Sequence, residues 1–247
     1  MKITPKMIMK FICPYGLIWL INEAGMKKPK LKNTGLKQEL LLFLALQEKG
    51  FNLDRIDIRV DHALGTNYVN EIEIGIKYPD SFYNNCSQLI PEEKNLDYYF
   101  NGEMHDSGLR KIMLAPYIQR EKSIIIESND GRIIDNKDKF NYEYFAGLAD
   151  AKFGLCPGQA DINHPASHLW GYRFIESCFV GAIPVLFVIA PLSYRFTNGF
   201  YIYWHTKDSD INNFVYQKEY AEFNRELAKE RFLLTDEECD KIRKTIK

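Results

Sequence analysis

Apolar residues recur along this chain in two periods, and the periods mark its predicted elements. In residues 36–50 (LKQELLLFLALQEKG) they occupy nearly every side of a helical turn, which predicts a well-buried helix ending at Gly50. Residues 51–65 then alternate isoleucine and valine with charged residues, and residues 68–79 alternate again, as strands do. The first third of the chain is therefore predicted to be a small α/β region.

From residue 96 onward, short apolar strands alternate with helical segments. The predicted strands are 96–102, 122–130, 152–158, 182–189 and 200–206. The predicted helices are 107–119, 140–151, 168–181 and 215–232, with Pro116 expected to end or kink the first. Such alternation specifies βαβ units and a mostly parallel sheet, so we predict a Rossmann-like domain in which the strand at 122–130 is buried on both faces.

A segment with neither period separates the two patterns. Residues 84–95 (NNCSQLIPEEKN) predict a connector, which divides the chain into domains 1–90 and 91–247. Ligands of open parallel sheets bind beyond the carboxyl ends of the strands. The mouth of a site is therefore expected in the loops that follow the predicted strands of the second domain.

The N-terminal stretch is apolar and then basic. About a dozen apolar residues within 7–21 are too few for a membrane span, which needs ~20, and they lack the small-residue cleavage site of a signal peptide. A lysine cluster follows at 26–32. We favour a buried first segment with a solvated linker; the alternative is peripheral contact of residues 7–32 with an anionic membrane face.

Charge and cysteine usage narrow the class of protein. A net charge of −1 offers no overall field for a nucleic-acid partner, and we expect none. The five cysteines are scattered and never spaced as CxxC, which favours a reducing compartment. Cys156 and Cys178 lie in apolar segments and are predicted to be buried thiols rather than nucleophiles.

Other motifs point to neither a metal nor a cofactor. The chain has no P-loop and no GxGxxG, so neither an NTPase nor a dinucleotide enzyme is indicated. Residues 208–210 (DSD) precede a helical pattern and are predicted to cap it. His164 and His168 have no evident third ligand. We therefore assign no metal and no cofactor.

Residues 155–187 combine several candidate functional features. Cys156, Pro157 and Gly158 form a corner at a strand end, and Arg173 and Glu176 lie three apart on a predicted helix, where they share a face. A guanidinium can neutralise a diphosphate and a carboxylate can accept ribose hydroxyls, which is what a nucleotide-sugar requires. The alternative is a surface ion pair worth only ~0.3–0.5 kcal/mol, and spacing alone leaves both open.

The order of these pieces resembles the donor-binding block of exostosin-like glycosyltransferases. That block has a strand ending in Cys-Pro, a serine matched by Ser167, and an Arg with a Glu three residues on. It also has a Gly-Cys-Ile-Pro-Val run, to which residues 181–185 correspond with Ala182 in place of the Cys. The resemblance covers residues 90–215. Gly158 follows Pro157 directly where the family usually has an intervening residue, and the loop before Arg173 is longer.

The resemblance implies a GT-B-like fold whose Rossmann-like domain binds the donor, with residues 1–90 as a reduced acceptor-side region. It implies that Glu176 holds donor hydroxyls and that Arg173 meets the diphosphate. Arg110 would assist, together with backbone N–H groups near Gly102 and Gly158. Ser167 would belong to the same donor site. Charge and helix N-termini would stabilise the leaving group without a metal.

An inverting transfer also needs a base for the acceptor hydroxyl. Asp61 and His62 follow a predicted strand in the N-terminal region, and His105 and Asp106 follow the strand at 96–102. All four are candidates, although a loop His or Asp is more often a cap or a solvated side chain.

The function implied is transfer of a sugar from a nucleotide-sugar donor to a hydroxyl of a glycan or glycolipid acceptor, in surface polysaccharide or lipopolysaccharide synthesis. We expect a cytoplasmic location, at the inner face of the membrane if residues 7–32 contact it. The alternative is a non-catalytic nucleotide- or glycan-binding partner subunit of another transferase, which the small N-terminal region favours.

Overall fold

A computed structural model describes residues 37–61, 65–102, 104, 109–128, 140–157, 171–187, 197–206 and 209–246. The helices are α1 (Lys37–Glu48), α2 (Asp80–Gln88), α3 (Leu109–Ile118), α4 (Tyr142–Asp150), α5 (Tyr172–Phe179), α6 (Lys218–Phe232) and α7 (Asp236–Arg243). The strands are β1 (Ile58–Asp61), β2 (Thr66–Val69), β3 (Ile72–Glu73), β4 (Leu96–Gly102), β5 (Ser123–Glu127), β6 (Ala151–Cys156), β7 (Ile183–Phe187) and β8 (Tyr203–His205). Two 3-10 turns lie at Leu53–Arg55 and Ile211–Asn213.

The larger sheet is five-stranded and parallel throughout, in the order β5-β4-β6-β7-β8. This confirms the predicted α/β class and the parallel sheet. Numbered along the chain, its strands run 2-1-3-4-5, so the direction of winding reverses between β4 and β6. A crevice opens at such a reversal, beyond the carboxyl ends of the two strands.

Apolar side chains fill both faces of this sheet. Tyr98 and Phe100 of β4 pack on one face with Leu114 and Tyr117 of α3, and Tyr99 points to the other. That second face is covered by α4, α5 and α6. The near-continuous apolar runs of β6 and β7 fit strands enclosed by helices on both sides.

The strand β5 departs from its prediction. It was expected to be buried on both faces, but it lies at the sheet edge, where Ile124 is 37% and Ile126 is 41% exposed. Of the three isoleucines, only Ile125 packs against the core, in the same apolar cluster as Met113 of α3. A run of three isoleucines predicts a strand, but it does not give the strand's position in the sheet.

The smaller sheet is antiparallel, in the order β1-β2-β3. The alternation over 68–79 predicted one strand, which was wrong, because the chain turns at Asn70 and Glu71, both with positive φ. Apolar residues of this sheet pack against α1 and against Leu234, Cys239 and Ile242 near the C-terminal end.

Two further predictions are corrected, and one helix was not predicted. Residues 84–95 are not wholly a connector, because α2 continues to Gln88. Pro116 does not end α3, which continues to Ile118, and the predicted alternative of a kink stays a prediction. The helix α7 was missed, although Thr235 and Glu238 form a reciprocal capping box at its start. The division at residue 90 stays a prediction; Leu41, Ile76, Tyr78, Tyr83 and Cys86 share one apolar cluster with the parallel sheet.

Candidate functional site at the strand reversal

The carboxyl ends of β4 and β6 mark the candidate site. β4 ends at Gly102 and β6 ends at Cys156, with Pro157 buried just beyond. The helix α5 packs beside β6 and carries both Arg173 and Glu176. The predicted pair therefore lies on one helix beside the strand reversal.

Arg173 is buried against the end of β4. It is 5% exposed, its guanidinium donates to the carbonyl of Asn101 at 2.7 Å, and its Cζ lies 4.2 Å from the centre of the Phe100 ring. A Cβ atom at position 102 would collide with the Nη2 atom of Arg173, so Gly102 makes room for the guanidinium. The predicted donor residues Arg173 and Gly102 are thus in contact.

Glu176 is fully buried, with several donors on its carboxylate. Tyr144 Oη donates to its Oε2 at 2.8 Å, Tyr78 Oη approaches its Oε1 at 3.5 Å, and Lys37 forms an ion pair with it. The Lys37 ammonium also lies 4.9 Å from the centre of the Tyr172 ring. Because Arg173 and Glu176 are both buried, the alternative of a surface ion pair is wrong.

The helix α5 approaches β6 closely. Ser177 Oγ donates back to the carbonyl of Arg173 at 2.6 Å, and a Cβ on Gly154 would collide with that hydroxyl. Every residue from Arg173 to Phe179 is buried. The sequence therefore fixes the rotation of α5, and with it the direction of its two charges.

The N-terminal region contacts the site through Lys37, the first residue of α1. Gln38 donates through Nε2 to the Thr66 carbonyl and to Asn67 Oδ1, each at 2.9 Å. Asp61, one of the candidate bases, ends β1, and its backbone is paired with Thr66 of β2. Beside Gln38, burial raises the pKa of Glu39 from 4.5 to about 7.

The remaining predicted residues are only partly covered. Arg110 is half-buried in the first turn of α3, the helix that follows β4 along the chain. The other predicted residues lie outside the described residues: His62, His105, Asp106, Gly158 and Ser167. Their roles stay predictions.

The structure describes the thiols of Cys156 and Cys178 and, within the DSD motif, Ser209 and Asp210. Cys156 and Cys178 are buried, as predicted, and burial raises the pKa of Cys178 well above its usual range, which disfavours the nucleophilic thiolate. Asp210 caps the 3-10 turn at Ile211–Asn213 by accepting from the Asn212 N–H at 2.9 Å. Within the described residues, no three His, Cys, Asp or Glu side chains cluster as metal ligands do.

Sequence reasoning missed the residues that surround Glu176. Lys37, Tyr78 and Tyr144 come from three separate helices or their flanks, 32 to 139 residues away along the chain. One signal was present: Lys37 and Glu39 carry charges in the first turn of a helix that is otherwise apolar on most sides. Charges in such a helix indicate a buried partner or a site.

A separate groove of about 790 Å³ lies between α2 and α6. Its lining mixes cations, anions and apolar residues, among them Lys49, Asp80 and Phe223. None of the predicted site residues in the described chain lines it, so we place the candidate site at the strand reversal on chemical grounds.

Compared with known families and proteins, the chain matches no family model, no curated protein and no solved structure. The exostosin resemblance therefore rests on the motifs and their order. Among the described helices, none combines the length and the hydropathy that crossing a membrane requires.

Proposed function

We propose that this chain is an exostosin-like, GT-B-type glycosyltransferase that uses a nucleotide-sugar donor. The observation that carries the proposal is the placement of Arg173 against Gly102 at the strand reversal, with Glu176 one turn along the same helix. An anion bound at the carboxyl edge of a parallel sheet is stabilised by such a guanidinium, especially where water is excluded.

In the proposed reaction the acceptor hydroxyl oxygen bonds to the anomeric carbon as the bond from that carbon to the diphosphate oxygen breaks. The electron pair of the broken bond stays on the diphosphate, where Arg173 neutralises it, assisted by Arg110. Glu176 orients donor hydroxyls, and a base takes the acceptor proton. The transfer inverts the anomeric centre and needs no metal. The acceptor is a glycan or glycolipid of surface polysaccharide or lipopolysaccharide synthesis, at the cytoplasmic face of the membrane.

A second function is favoured by one observation. The Glu176 carboxylate is fully enclosed and already accepts from Lys37 and Tyr144, so a donor hydroxyl has to displace a bond that exists. A buried ion pair that joins α1 to α5 would suit a non-catalytic partner subunit that binds a nucleotide or glycan.

The test is a thermal-shift screen with UDP, GDP, CMP, ADP and dTDP and with their sugar conjugates. A ligand present at 100 times its dissociation constant stabilises the fold by ~2.7 kcal/mol, so a response is easily measured. Losing a charge-assisted hydrogen bond costs about 1.5–3 kcal/mol, so Arg173→Lys should weaken binding roughly 10-fold to 100-fold. Glu176→Gln, which keeps the shape, should weaken binding of the sugar conjugate more than of the free nucleotide.

Two variants serve as matched controls. Arg225 also lies over an aromatic ring, that of Tyr83, and donates to Ser87, but it is on α6. Glu238 pairs with the buried Lys77 as Glu176 pairs with Lys37. Arg225→Lys and Glu238→Gln should keep the nucleotide response. No response to any compound, or a response that Arg173→Lys leaves intact, contradicts the proposed site; binding without release of nucleotide from any sugar conjugate favours the partner subunit.

A further inference from the structure

The crevice at the strand reversal begins where β4 separates from β6. The pairing of these two strands ends at Tyr99 and Gly154, whereas β4 stays paired with β5 as far as Gly102. Asn101 therefore lies in the last part of β4, beyond its final pair with β6. The Arg173 guanidinium donates to the Asn101 carbonyl at 2.7 Å. Asn101 is thus in direct contact with the residue that the proposed function assigns to the diphosphate.

The side chain of Asn101 lies on the face of the sheet that α4 and α5 cover. Successive side chains of a strand point to opposite faces, so Asn101 shares its face with Tyr99, which packs there. Its Nδ2 atom lies 3.4 Å from Tyr99 Oη. The centre of the Tyr99 ring lies 6.1 Å from that of Tyr144, whose hydroxyl donates to Glu176 at 2.8 Å. These contacts connect the end of β4, where Arg173 binds, with the hydrogen bonds around Glu176.

Asn101 retains a donor and an acceptor that a ligand can use. A carboxamide has two N–H donors and an oxygen with two lone pairs. Among the described residues, its side chain makes one hydrogen bond, the Tyr99 contact, which at 3.4 Å is longer than a typical N–H···O bond. Asn101 is half-buried, whereas Arg173 and Glu176 are buried. A ligand in the crevice can therefore reach this side chain.

The charges at the end of β4 favour an anionic ligand. Glu127 ends β5 opposite Gly102, but it forms an ion pair with Lys111 of α3 at 3.3 Å. The charged group in contact with Asn101, within the described chain, is the guanidinium of Arg173. A neutral N–H donor beside a guanidinium suits an anion with several oxygens, because the two groups can bind different oxygens. A diphosphate is such an anion.

We propose that the Asn101 carboxamide binds the diphosphate of the donor together with Arg173. This inference rests on the proposed donor site and adds a residue to it. The free N–H of Nδ2 donates to a non-bridging phosphate oxygen while the guanidinium neutralises the charge. An amide supplies this hydrogen bond without a charge of its own, whereas a carboxylate at the same position would repel the ligand.

The test is isothermal titration calorimetry at fixed ionic strength with UDP, GDP, CDP, ADP and dTDP, with the matching nucleosides and with inorganic pyrophosphate. Asn101→Ala should weaken binding of the diphosphates about 10-fold to 100-fold, because a hydrogen bond to a charged group is lost. Asn101→Asp keeps the shape but should weaken it further, because its carboxylate repels the phosphates. Asn101→Gln keeps the amide and should bind more tightly than Asn101→Ala. Binding of the nucleoside should be the same in all three variants and in wild type.

The matched control is Asn52→Asp, which adds the same charge elsewhere. Asn52 is exposed and caps the Leu53–Arg55 turn by accepting from the Asp54 N–H at 3.1 Å, a role that an aspartate keeps. Its diphosphate affinity should stay within about twofold of wild type.

Two results would overturn the inference and leave the proposed function intact. One is wild-type diphosphate affinity in Asn101→Ala and Asn101→Asp while Arg173→Lys binds weakly. The other is an equal loss of nucleoside and diphosphate affinity, which would show that Asn101 only maintains the structure. A folded wild-type protein that binds none of the nucleoside diphosphates and no pyrophosphate would instead overturn the proposed donor site, and the role of Asn101 with it.

Discussion

Enclosure changes what the two charged residues of α5 do. A guanidinium or carboxylate at the surface is screened by water, whereas one enclosed by protein interacts more strongly with a nearby ion or hydroxyl. Arg173 and Glu176 are held by the Asn101 carbonyl, Tyr144 and Lys37, so their positions are set before any ligand arrives. In the proposed transfer, such preorganisation would favour binding of the transition state.

Gly102 offers a direct measure of how tightly Arg173 is held. Gly102→Ala should lower the free energy of unfolding by about 1–3 kcal/mol, because the added methyl group overpacks the guanidinium. Urea denaturation measures this, and Gly171→Ala should change stability far less, since none of the described residues, apart from its chain neighbours, comes within 4 Å of the added Cβ. Equal stability of Gly102→Ala and wild type would contradict the close contact.

Glu39 should make stability depend on pH. Its pKa is about 7 in the folded chain and near 4.5 when unfolded, so the folded state binds more protons between these values. The free energy of unfolding should therefore fall as pH rises from about 4.5 to 7, by about 3 kcal/mol at most, and then level off. In Glu39→Gln this fall should be absent; identical pH profiles of the two proteins, measured by urea denaturation, would show that Glu39 is not enclosed.

Whether a site residue could be predicted from the sequence depends on how far along the chain its partners lie. Arg173 and Glu176 were predicted as a pair because residues three positions apart on a helix are neighbours in any fold. Gly102 followed from the resemblance alone. Lys37 and Tyr144 were not found, because only tertiary packing brings them to Glu176. Glu39 is a single charge in an apolar helix, and no local pattern tells a buried charge from an exposed one.

At the scale of secondary-structure elements, the hydrophobic period and the length of a segment predicted its structure correctly where its neighbours are all of one kind. The five strands of the parallel sheet were predicted, since a short apolar run between two predicted helices rarely adopts any structure other than a strand. The β2–β3 turn was missed, because it uses Asn70 and Glu71 in a left-handed conformation that glycine usually supplies. The predicted burial of β5 was also wrong, because the position of a strand in the sheet depends on the whole sheet and not on the sequence of that strand.

The helix α7 depends on its N-cap residue, Thr235, which immediately precedes it. Thr235 accepts from the Glu238 N–H while the Glu238 carboxylate accepts from the Thr235 N–H. Thr235→Ala should lower the free energy of unfolding by about 1 kcal/mol, because the orphan N–H groups of the first turn lose their acceptor. Thr235→Ser keeps the hydroxyl and should cost much less; equal losses in the two variants, by thermal denaturation, would contradict the capping role.

At the scale of the whole molecule, the C-terminal end holds the N-terminal region in place. Lys77, 3% exposed at its side chain, donates to the carbonyls of Arg231 and Leu233 and pairs with Glu238 at 2.8 Å. The backbone of Tyr78 bonds to Phe232 at 2.7 Å. The segment before α2 is therefore fixed by the end of α6 and the start of α7.

This arrangement has a consequence during translation. The residues of β1–β3 leave the ribosome early, but Leu234, Cys239 and Ile242, which complete their apolar cluster, emerge about 180 residues later. At ~5–20 residues per second that interval is roughly 10–40 s. Throughout it, Val69 and Ile58 lack part of the packing that buries them in the finished protein. The packing of the β1–β3 sheet is thus completed only once α7 has been synthesised.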